Sequence, residues 1–586
     1  MSWDVRAGGG GGDGDFEIVE VFYVVSGVGV ARGLEVSGGL GARTGRGSGG
    51  RGRRATRSVV GALGRLKAKE AGMELVTVKE ENGLEMPGLD EVQRLLAAHA
   101  ATTKPTLEMM WRYYRNPLTL TRRGEGQRYD IGQRAGLPMR LIGRADGGLD
   151  DRARTREVVI ENDIAWRIHT MVDFMFGKPV RLLSTARDEQ DRERIERMLD
   201  AIWEGSGGVS LLQEMALLGH VYGHVDLVVR VDEPRLRRLA GTGDGEDPWF
   251  VRESVGVEVI EPTRGVPVVR EGDWRELDGY VIHAEGEEPG AGARRGPIGE
   301  WLESWRRGRR PHPGPLPGGE GGRHRLGAGS TGSGVTEVFS TTGRRVFVDG
   351  ELVEEEAFGL MGGRVPVVHV QNQAQPYRYG GLSEVEPLIP LQDELNTRLS
   401  DRASRVTMQS FKMYLARGVE GFDKVPVGPG QIWSTDNPDA SVQAFGGDAS
   451  SPSEEAHINE VRNAMDKTSG VPPLATGVVQ GRVGNLSSAN ALKITLIGLL
   501  AKTERKRVSY GRGLAEVSRM ILTALDAAGV METDPRDRGV RLEWPDPLPT
   551  DVVEETLAAK RKVELGVPTR RVLDELGYVA SDAGVV

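Results

Sequence analysis

His220 and His224 stand four residues apart in His220-Val221-Tyr222-Gly223-His224, the spacing at which one helix face offers two imidazoles to zinc. The acid that activates water in the zincin motif is missing, and Gly223 with the β-branched run beyond it ends the helix there. Packed histidines are the simpler reading. Gly27-Val28-Gly29-Val30-Ala31-Arg32-Gly33 imitates a dinucleotide fingerprint, but its third glycine falls one place late and no acid-tipped second strand follows. Asp188, Glu189, Asp191, Glu193 and Glu196 lie among Arg187, Arg192, Arg194 and Arg197, which is the pattern of a solvated, salt-bridged helix face rather than a two-metal nuclease site. Glu504, Arg505, Lys506 and Arg507 read in the same way, as surface or intersubunit contacts. No catalytic set, metal site or cofactor site emerges. What remains is a loop, Leu474 to Leu486, in which Gln480, Arg482 and Asn485 alternate with Gly477, Gly481 and Gly484.

The elements around that loop are strongly specified. Ser451-Pro452-Ser453-Glu454 supplies a cap residue, a proline at the first helical position and an acid at the third, which together satisfy orphan amides and favour the helix dipole. Ile458, Val461 and Met465 then share a face, and Gly470-Val471-Pro472-Pro473 stops the helix. After the loop, Ser487 or Ser488 caps a second helix that runs from Ala489 to about Ala528 without a proline. At ~1.5 Å per residue it spans on the order of 60 Å. A deformable loop is thus carried on a rigid frame.

These residues resemble those of tailed-bacteriophage portal proteins of the gp6-like type. Ser469-Gly470-Val471-Pro472 and Gly484-Asn485-Leu486-Ser487-Ser488-Ala489-Asn490-Ala491-Leu492-Lys493 are similar to the family's passage from stem helix through tunnel loop to long wing helix. Ala489 replaces one family glycine, a change that suits a helix. Trp111 to Asn116 resembles the family's opening aromatic segment. Asn162-Asp163-Ile164 to Phe176-Gly177-Lys178-Pro179-Val180 is similar to its helix ending in Gly-Lys-Pro. Leu218 to Val225 resembles the wing's helix-to-strand passage, and Gly362 to Val368 with Gly381 to Leu388 resembles the lead-in to the first stem helix. Leu542 to Pro549 and Glu564 to Thr569 match the C-terminal pattern, so the resemblance runs from about Glu108 onward.

The resemblance implies a mixed α+β, portal-type fold with an α/β wing, a helical stem, a small β-containing clip and a helical crown, assembled as a ring. It divides the chain into an N-terminal extension (1–72), a wing (73–382), a first stem helix region (383–417), a clip (418–450), a second stem helix (451–469), a tunnel loop (470–487), the long wing helix (488–528) and a crown (529–586). It implies that Gln480, Arg482 and Asn485 face DNA in the channel. It also implies a non-enzymatic homododecamer at one capsid vertex, through which double-stranded DNA passes without sequence specificity during packaging and ejection. Its partners would be the terminase large subunit, the head-tail adaptor and a major capsid or scaffolding protein, with no membrane. It would sit in the virion, after assembly in the host cytoplasm. No Walker A sequence occurs, so the energy for packaging must come from a partner.

Composition agrees with such an assembly. The chain of 586 residues is 38% hydrophobic, enough for sizeable cores. Its longest apolar run, Phe22 to Val30, is too short to cross a membrane, and acidic residues precede it, unlike a signal peptide. Cysteine is absent, which excludes disulfides and thiolate metal sites. A formal charge of −9 argues against tight DNA binding and suits a channel in which phosphate attraction would act as friction.

Two segments lack core-forming residues. Met1 to about Gly72 scatters Arg43, Arg46, Arg51, Arg53, Arg54 and Arg57 among glycines, and reads as a disordered basic arm or as an overlong start with Met73 the initiator. Gly286 to Gly334 contains Arg306-Arg307-Gly308-Arg309-Arg310-Pro311 and interrupts the strand-like runs 279–283 and 335–339, so it reads as an inserted surface loop. Helical periodicity marks Asp188 to Trp203, and strand signals mark Val225–Val229, Val255–Ile260, Arg345–Val348 and Val365–Val370. Asp349-Gly350 signals a type I′ hairpin. Ser383 to about Ala416 reads as helix with a kink at Pro390. A phage-encoded α/β hydrolase or nuclease is the competing reading and needs a convergent acid or histidine cleft; a generic α/β interaction module would be a monomer or dimer.

Overall fold

The computed structural model describes residues 87–123, 126–142, 157–242, 247–285, 334–410, 413–418, 436–445, 451–476, 493–548 and 552–576, all of them in the unit Gly61–Val586. The N-terminal extension, the body of the 286–334 insertion, the centre of the clip tract and loop residues Gln480, Arg482 and Asn485 lie outside the described residues.

The chain opens with helices α1 (Leu89–Thr102) and α2 (Lys104–Arg115), followed by the hairpin β1 (Leu118–Arg123) and β2 (Gly126–Ile131). Helix α3 (Asp163–Phe176) is capped by Asn162, whose side chain accepts the Ala165 amide; strand β3 (Arg181–Ser184) follows. Helix α4 (Glu189–Gly205) is capped by Asp188, whose carboxylate accepts the amides of Gln190 and Asp191. Its apolar side, Ile195, Met198, Leu199 and Ile202, is buried as the periodicity requires. Its charged side faces solvent, although the ion pairs at its start run from Arg187 to Asp534 and Asp537 rather than along the helix. Helix α5 (Gly208–Tyr222) leads into β4 (His224–Val231), α6 (Glu233–Thr242), β5 (Val255–Ile260), β6 (Gly265–Arg270) and β7 (Asp273–Glu285).

Strands β8 (Gly334–Ser340), β9 (Gly343–Val348) and β10 (Glu351–Ala357) complete an antiparallel sheet of order β10-β9-β8-β7-β6. Glu285 pairs with Gly334, so the insertion leaves and rejoins the sheet at facing residues, as an inserted loop must. Asp349 (φ 52°) and Gly350 (φ 86°) form the tight turn between β9 and β10. Helix α1 covers one face of this sheet through Val92 and Leu95, which meet Val266, Val281, Val338 and Phe347. Strand β11 (Val367–Gln371) joins β4 and β5 in a second sheet, and Tyr280, Ile282 and Phe339 pack against Val228, Ile260 and Val367 between the two.

Helix α7 (Ile389–Ser410) follows a 3-10 turn at Glu386–Leu388. Pro390 falls in its first turn, where a missing amide leaves no intrahelical bond unmade, so it starts the helix instead of kinking it. The helix ends six residues short of the expected Ala416: Met413–Arg417 is strand β12, paired with β13 (Ser441–Phe445). After α8 (Pro452–Ser469), the long helix α9 (Ile497–Ala527) has 31 residues and spans about 46 Å at 1.5 Å per residue. It is shorter than the sequence pattern suggested. Leu496, with ψ near 7°, breaks it from a helical stretch at 493–495 and turns its side chain into the core, while β-branched neighbours and Gly498 weaken helix propagation there. Strand β14 (Val540–Glu543) pairs with β3, and α10 (Val552–Glu564) and α11 (Thr569–Glu575) end the described chain. Helices α3, α5 and α9 share the largest core with β4 and β11. At Gly219 of α5 an added Cβ would lie 2.0 Å from the Tyr510 hydroxyl of α9, so the two helices approach at a glycine.

Candidate channel-loop frame

The described residues end at Thr476 and resume at Lys493, so the structure presents the two bases of the loop. On the entering side, α8 starts at Pro452; the Ser451 carbonyl accepts the amides of Glu454 and Glu455, while the Ser451 side chain makes no capping bond. The proline and backbone therefore do the work expected of the serine hydroxyl. Ile458, Val461 and Met465 are buried together, and Gly470 (φ 71°) terminates the helix in a conformation that other residues adopt at a cost. Val471 then drops into a small cluster with Met171 of α3 and Leu499 of α9, with Ala475 packed against it. The incoming strand of the loop is thus seated on the start of the long helix.

Arg167 of α3 fixes that seat. Its guanidinium is 2% exposed and reaches four groups: Asp163 Oδ2 at 2.9 Å, Asp466 Oδ1 at 2.6 Å, Ser469 Oγ at 3.0 Å and the Val471 carbonyl at 2.8 Å. The planar fork joins α3, the last turn of α8 and the first residue after the turn. Removing it would strand two carboxylates and two further acceptors.

A second cluster crosses from α9. Lys502 donates to the Ser469 carbonyl at 2.7 Å and to Glu384, in the lead-in to α7; Lys506 lies 2.7 Å from the other Glu384 oxygen. Gln373 Nε2 donates to Glu384 as well. Burial alone would raise the Glu384 carboxyl, but the two ammonium groups overturn it and hold the pKa at about 2. Lys506 moves the other way, to about 8: burial dominates, Glu384 recovers part, and Lys502 adds repulsion. One carboxylate shared by two lysines explains both directions. His220 packs beside them; burial first, then Lys506, lowers its pKa to about 3, so the ring is neutral.

On the returning side, Lys493 pairs with Asp546 at 3.4 Å, and Arg507 donates to the Pro545 carbonyl at 2.8 Å over the Trp544 ring. Trp544 in turn meets Phe176 of α3. Both loop bases therefore rest on α3 and α9.

Sequence reasoning missed these anchors. Gln480, Arg482 and Asn485 lie outside the described residues, so nothing places their side chains. Glu504 and Arg505 stay on the surface as read, whereas Lys506 and Arg507 are buried. A signal existed: Lys502 and Lys506 share the helical face of Leu499 and Tyr510, and Arg167 shares that of Ile164 and Met171. A cation on an apolar stripe requires a buried partner. Leu496, Leu499, Leu514, Val517 and Ile521 are all buried within the subunit; Ile494, Ile497 and Val508 are the exposed large apolar residues of this region. His220 and His224 do not converge. Gly223 (φ 90°) separates them, His220 contacts the Ala216 carbonyl in α5, and His224 sits beside His369 and Tyr379. Among the described residues, no group of three or more histidines and acids could hold a metal ion.

Residues 336–581 match the family model of phage portal proteins, SPP1 Gp6-like. The matched segment lies in the C-terminal part of the chain. The match takes in α7, α8, α9 and the residues between them. No curated protein matches the sequence. Among solved structures, the chain is similar to a chain of the virion of a native gene transfer agent particle, with 13% identity, a TM-score of 0.37 and coverage of 71% of this chain and 89% of that one. It is similar also to chains from the neck of an empty particle of that agent computed with C6 symmetry (14%, TM-score 0.39) and of a native one computed with C12 symmetry (13%, TM-score 0.38), each over 71% of this chain and 90% of that one.

Proposed function

We propose that this chain is the subunit of a portal ring, a dodecamer at one vertex of a phage-type capsid, and that its loop from Leu474 to Leu486 lines the channel through which DNA is packaged and ejected. The observation that carries the reading is the portal-family match across the stem helices, the loop and α9. The loop frame supports it: two bases bound to the same pair of helices allow the glycine-rich segment to deform while its ends stay fixed. Head-to-tail contacts between identical subunits close into a ring when the rotation permits. In this role the chain supplies no chemistry. Terminase large subunit, head-tail adaptor and a capsid or scaffolding protein are its partners, and it acts in the virion after assembly in the host cytoplasm. Negative-stain microscopy with light scattering on the purified chain tests this: rings with a central hole are expected, and monomers or dimers at every concentration and salt would refute it. A hydrolase or nuclease gains nothing from the described residues, where no convergent metal-binding cluster occurs.

A further inference from the structure

The His220–His224 pair does not converge on a metal site, yet each ring has a buried nitrogen without a hydrogen-bond partner: Nε2 of His220 and Nδ1 of His224. In His220 the neighbour fixes the tautomer. Nδ1 faces the Ala216 carbonyl, which can only accept, so in the neutral ring Nδ1 carries the proton and Nε2 is a bare lone pair sealed in the interior. Three elements meet there. Helix α9 brings Lys502, Lys506 and Tyr510, whose ring centroid lies 6.3 Å from that of His220. The lead-in to α7 brings Glu384, whose amide donates to the His220 carbonyl at 2.9 Å, and Ser383, whose hydroxyl donates to the Val221 carbonyl at 2.6 Å. Helix α5 supplies the Ala216 carbonyl. Two ammonium groups share one carboxylate beside the ring, and Nε2 has no acceptor in reach for a second ring proton.

His224 stands in a different setting. Its ring lies near those of His369 and Tyr379, and Asp226, which accepts from His369, Tyr280 and Tyr379 at 2.7 Å each, favours its charge. Burial lowers the His224 pKa to about 4, with Asp226 opposing and His369 and His99 adding to the shift. These contacts join β4, β7 and β11 rather than the loop bases. His220, by contrast, adjoins the Lys502–Glu384–Lys506 cluster, from which Lys502 donates to the Ser469 carbonyl at the end of α8.

We propose that His220 is an acid trigger for the loop frame: when α5 and α9 part, Nε2 takes a proton, the imidazolium cannot return to its place beside Lys506, and the incoming base of the loop stays open. The device lies within one subunit and operates whether or not copies close into a ring. Its sign follows from the burial. In the closed frame burial, then Lys506, against Glu384, hold the His220 pKa at about 3, below the 6.5 of an open ring. The closed form's advantage is complete above pH 6.5 and is lost progressively as pH falls toward 3. Between pH 7 and pH 5 the opening equilibrium therefore rises roughly twenty- to thirtyfold. Glu384, at about 2, keeps its charge across that window, so the lysine pairs do not loosen of themselves.

Hydrogen exchange of the amides from Ser469 to Thr476, read by mass spectrometry on the full chain at pH 7 and pH 5, tests this. The parent is compared with His220→Gln, His220→Phe and His224→Gln at each pH, which removes the intrinsic pH dependence of exchange. A constant destabilisation by any substitution also cancels, because only the change between the two pH values is read. The parent-to-variant ratio of exchange is expected to rise roughly twenty- to thirtyfold from pH 7 to pH 5 for both His220 variants, and to stay level for His224→Gln. A ratio that holds within about threefold for the His220 variants refutes the trigger, and so does an equal rise for His224→Gln. If the amides of β8 and β9 lose protection together with the loop base at pH 5, acid acts on the whole fold and the trigger is refuted as well.

Discussion

Replacing Lys506 by methionine should stabilise the protein at neutral pH, even though it removes a buried ion pair. Lys506 is fully buried, and its pKa falls from the ordinary 10.5 to about 8, so the folded state holds this proton less tightly than the unfolded one. The sign follows. The neutral amine's advantage is complete above pH 10.5 and is lost as pH falls toward 8, so at pH 7 the charged lysine costs the fold, by linkage, on the order of 3 kcal/mol. That cost already includes the attraction of Glu384, which after the substitution still keeps Lys502 and Gln373. Methionine fills a similar volume beside Met171, which already lies 3.6 Å from the Lys506 nitrogen. A net gain of about 1–3 kcal/mol is expected, because Glu384 keeps one lysine and no buried charge is left unpaired. The assay is urea unfolding at fixed protein concentration from pH 7 to pH 10.5, comparing parent and variant at each pH so that the remaining titrations cancel. The parent's stability relative to the variant should rise across that window. A variant less stable than the parent at pH 7, or a difference that does not change with pH, would show that Lys506 is satisfied in place and that the two-lysine, one-glutamate argument is wrong.

Three other outcomes follow from the frame. Arg167→Leu leaves Asp163, Asp466 and the Val471 carbonyl without their donor and should cost about 3–5 kcal/mol; Arg167→Lys should not restore it, since one ammonium cannot span four acceptors, and protease cleavage near residue 474 reports the loosened seat. Arg482→Glu should leave rings intact but impair packaging or retention of DNA, read by an in vitro packaging assay; parental behaviour, or loss of rings, removes the loop from the functional account. Deleting residues 286–333 and joining Glu285 to Gly334 through a two-residue turn should preserve assembly and melting temperature, because the register of β7 and β8 already brings those two residues face to face; aggregation of that variant would show the insertion to be structural.

What could be read in the sequence depended on how local the cause was. The α8 boundaries were legible because a proline at one end and a glycine followed by prolines at the other act within a single turn. The hairpin at Asp349-Gly350 was legible for the same reason, and the splice of the insertion followed from two apolar runs that needed each other. Errors arose where distant residues decided. Nothing near Met413 announces that the chain leaves α7 for a strand, since its partner, Ser441 to Phe445, is more than twenty residues on. Nor can a single sequence reveal that α3, α5 and β11 cover the apolar face of α9. The anchors were hidden more deeply. Arg167, Glu384, Lys502 and Lys506 come from three separate stretches of chain, and each one read alone is an ordinary charged residue. Yet each lies where charge is costly: Arg167 and the two lysines interrupt an apolar helical face, and Glu384 stands between Ser383 and Val385, both buried. Burying four charges around one chain reversal opposes stability unless all are paired at once, and that condition is met only when α3, α8 and α9 meet at a single geometry. Such an arrangement specifies position more than it adds stability.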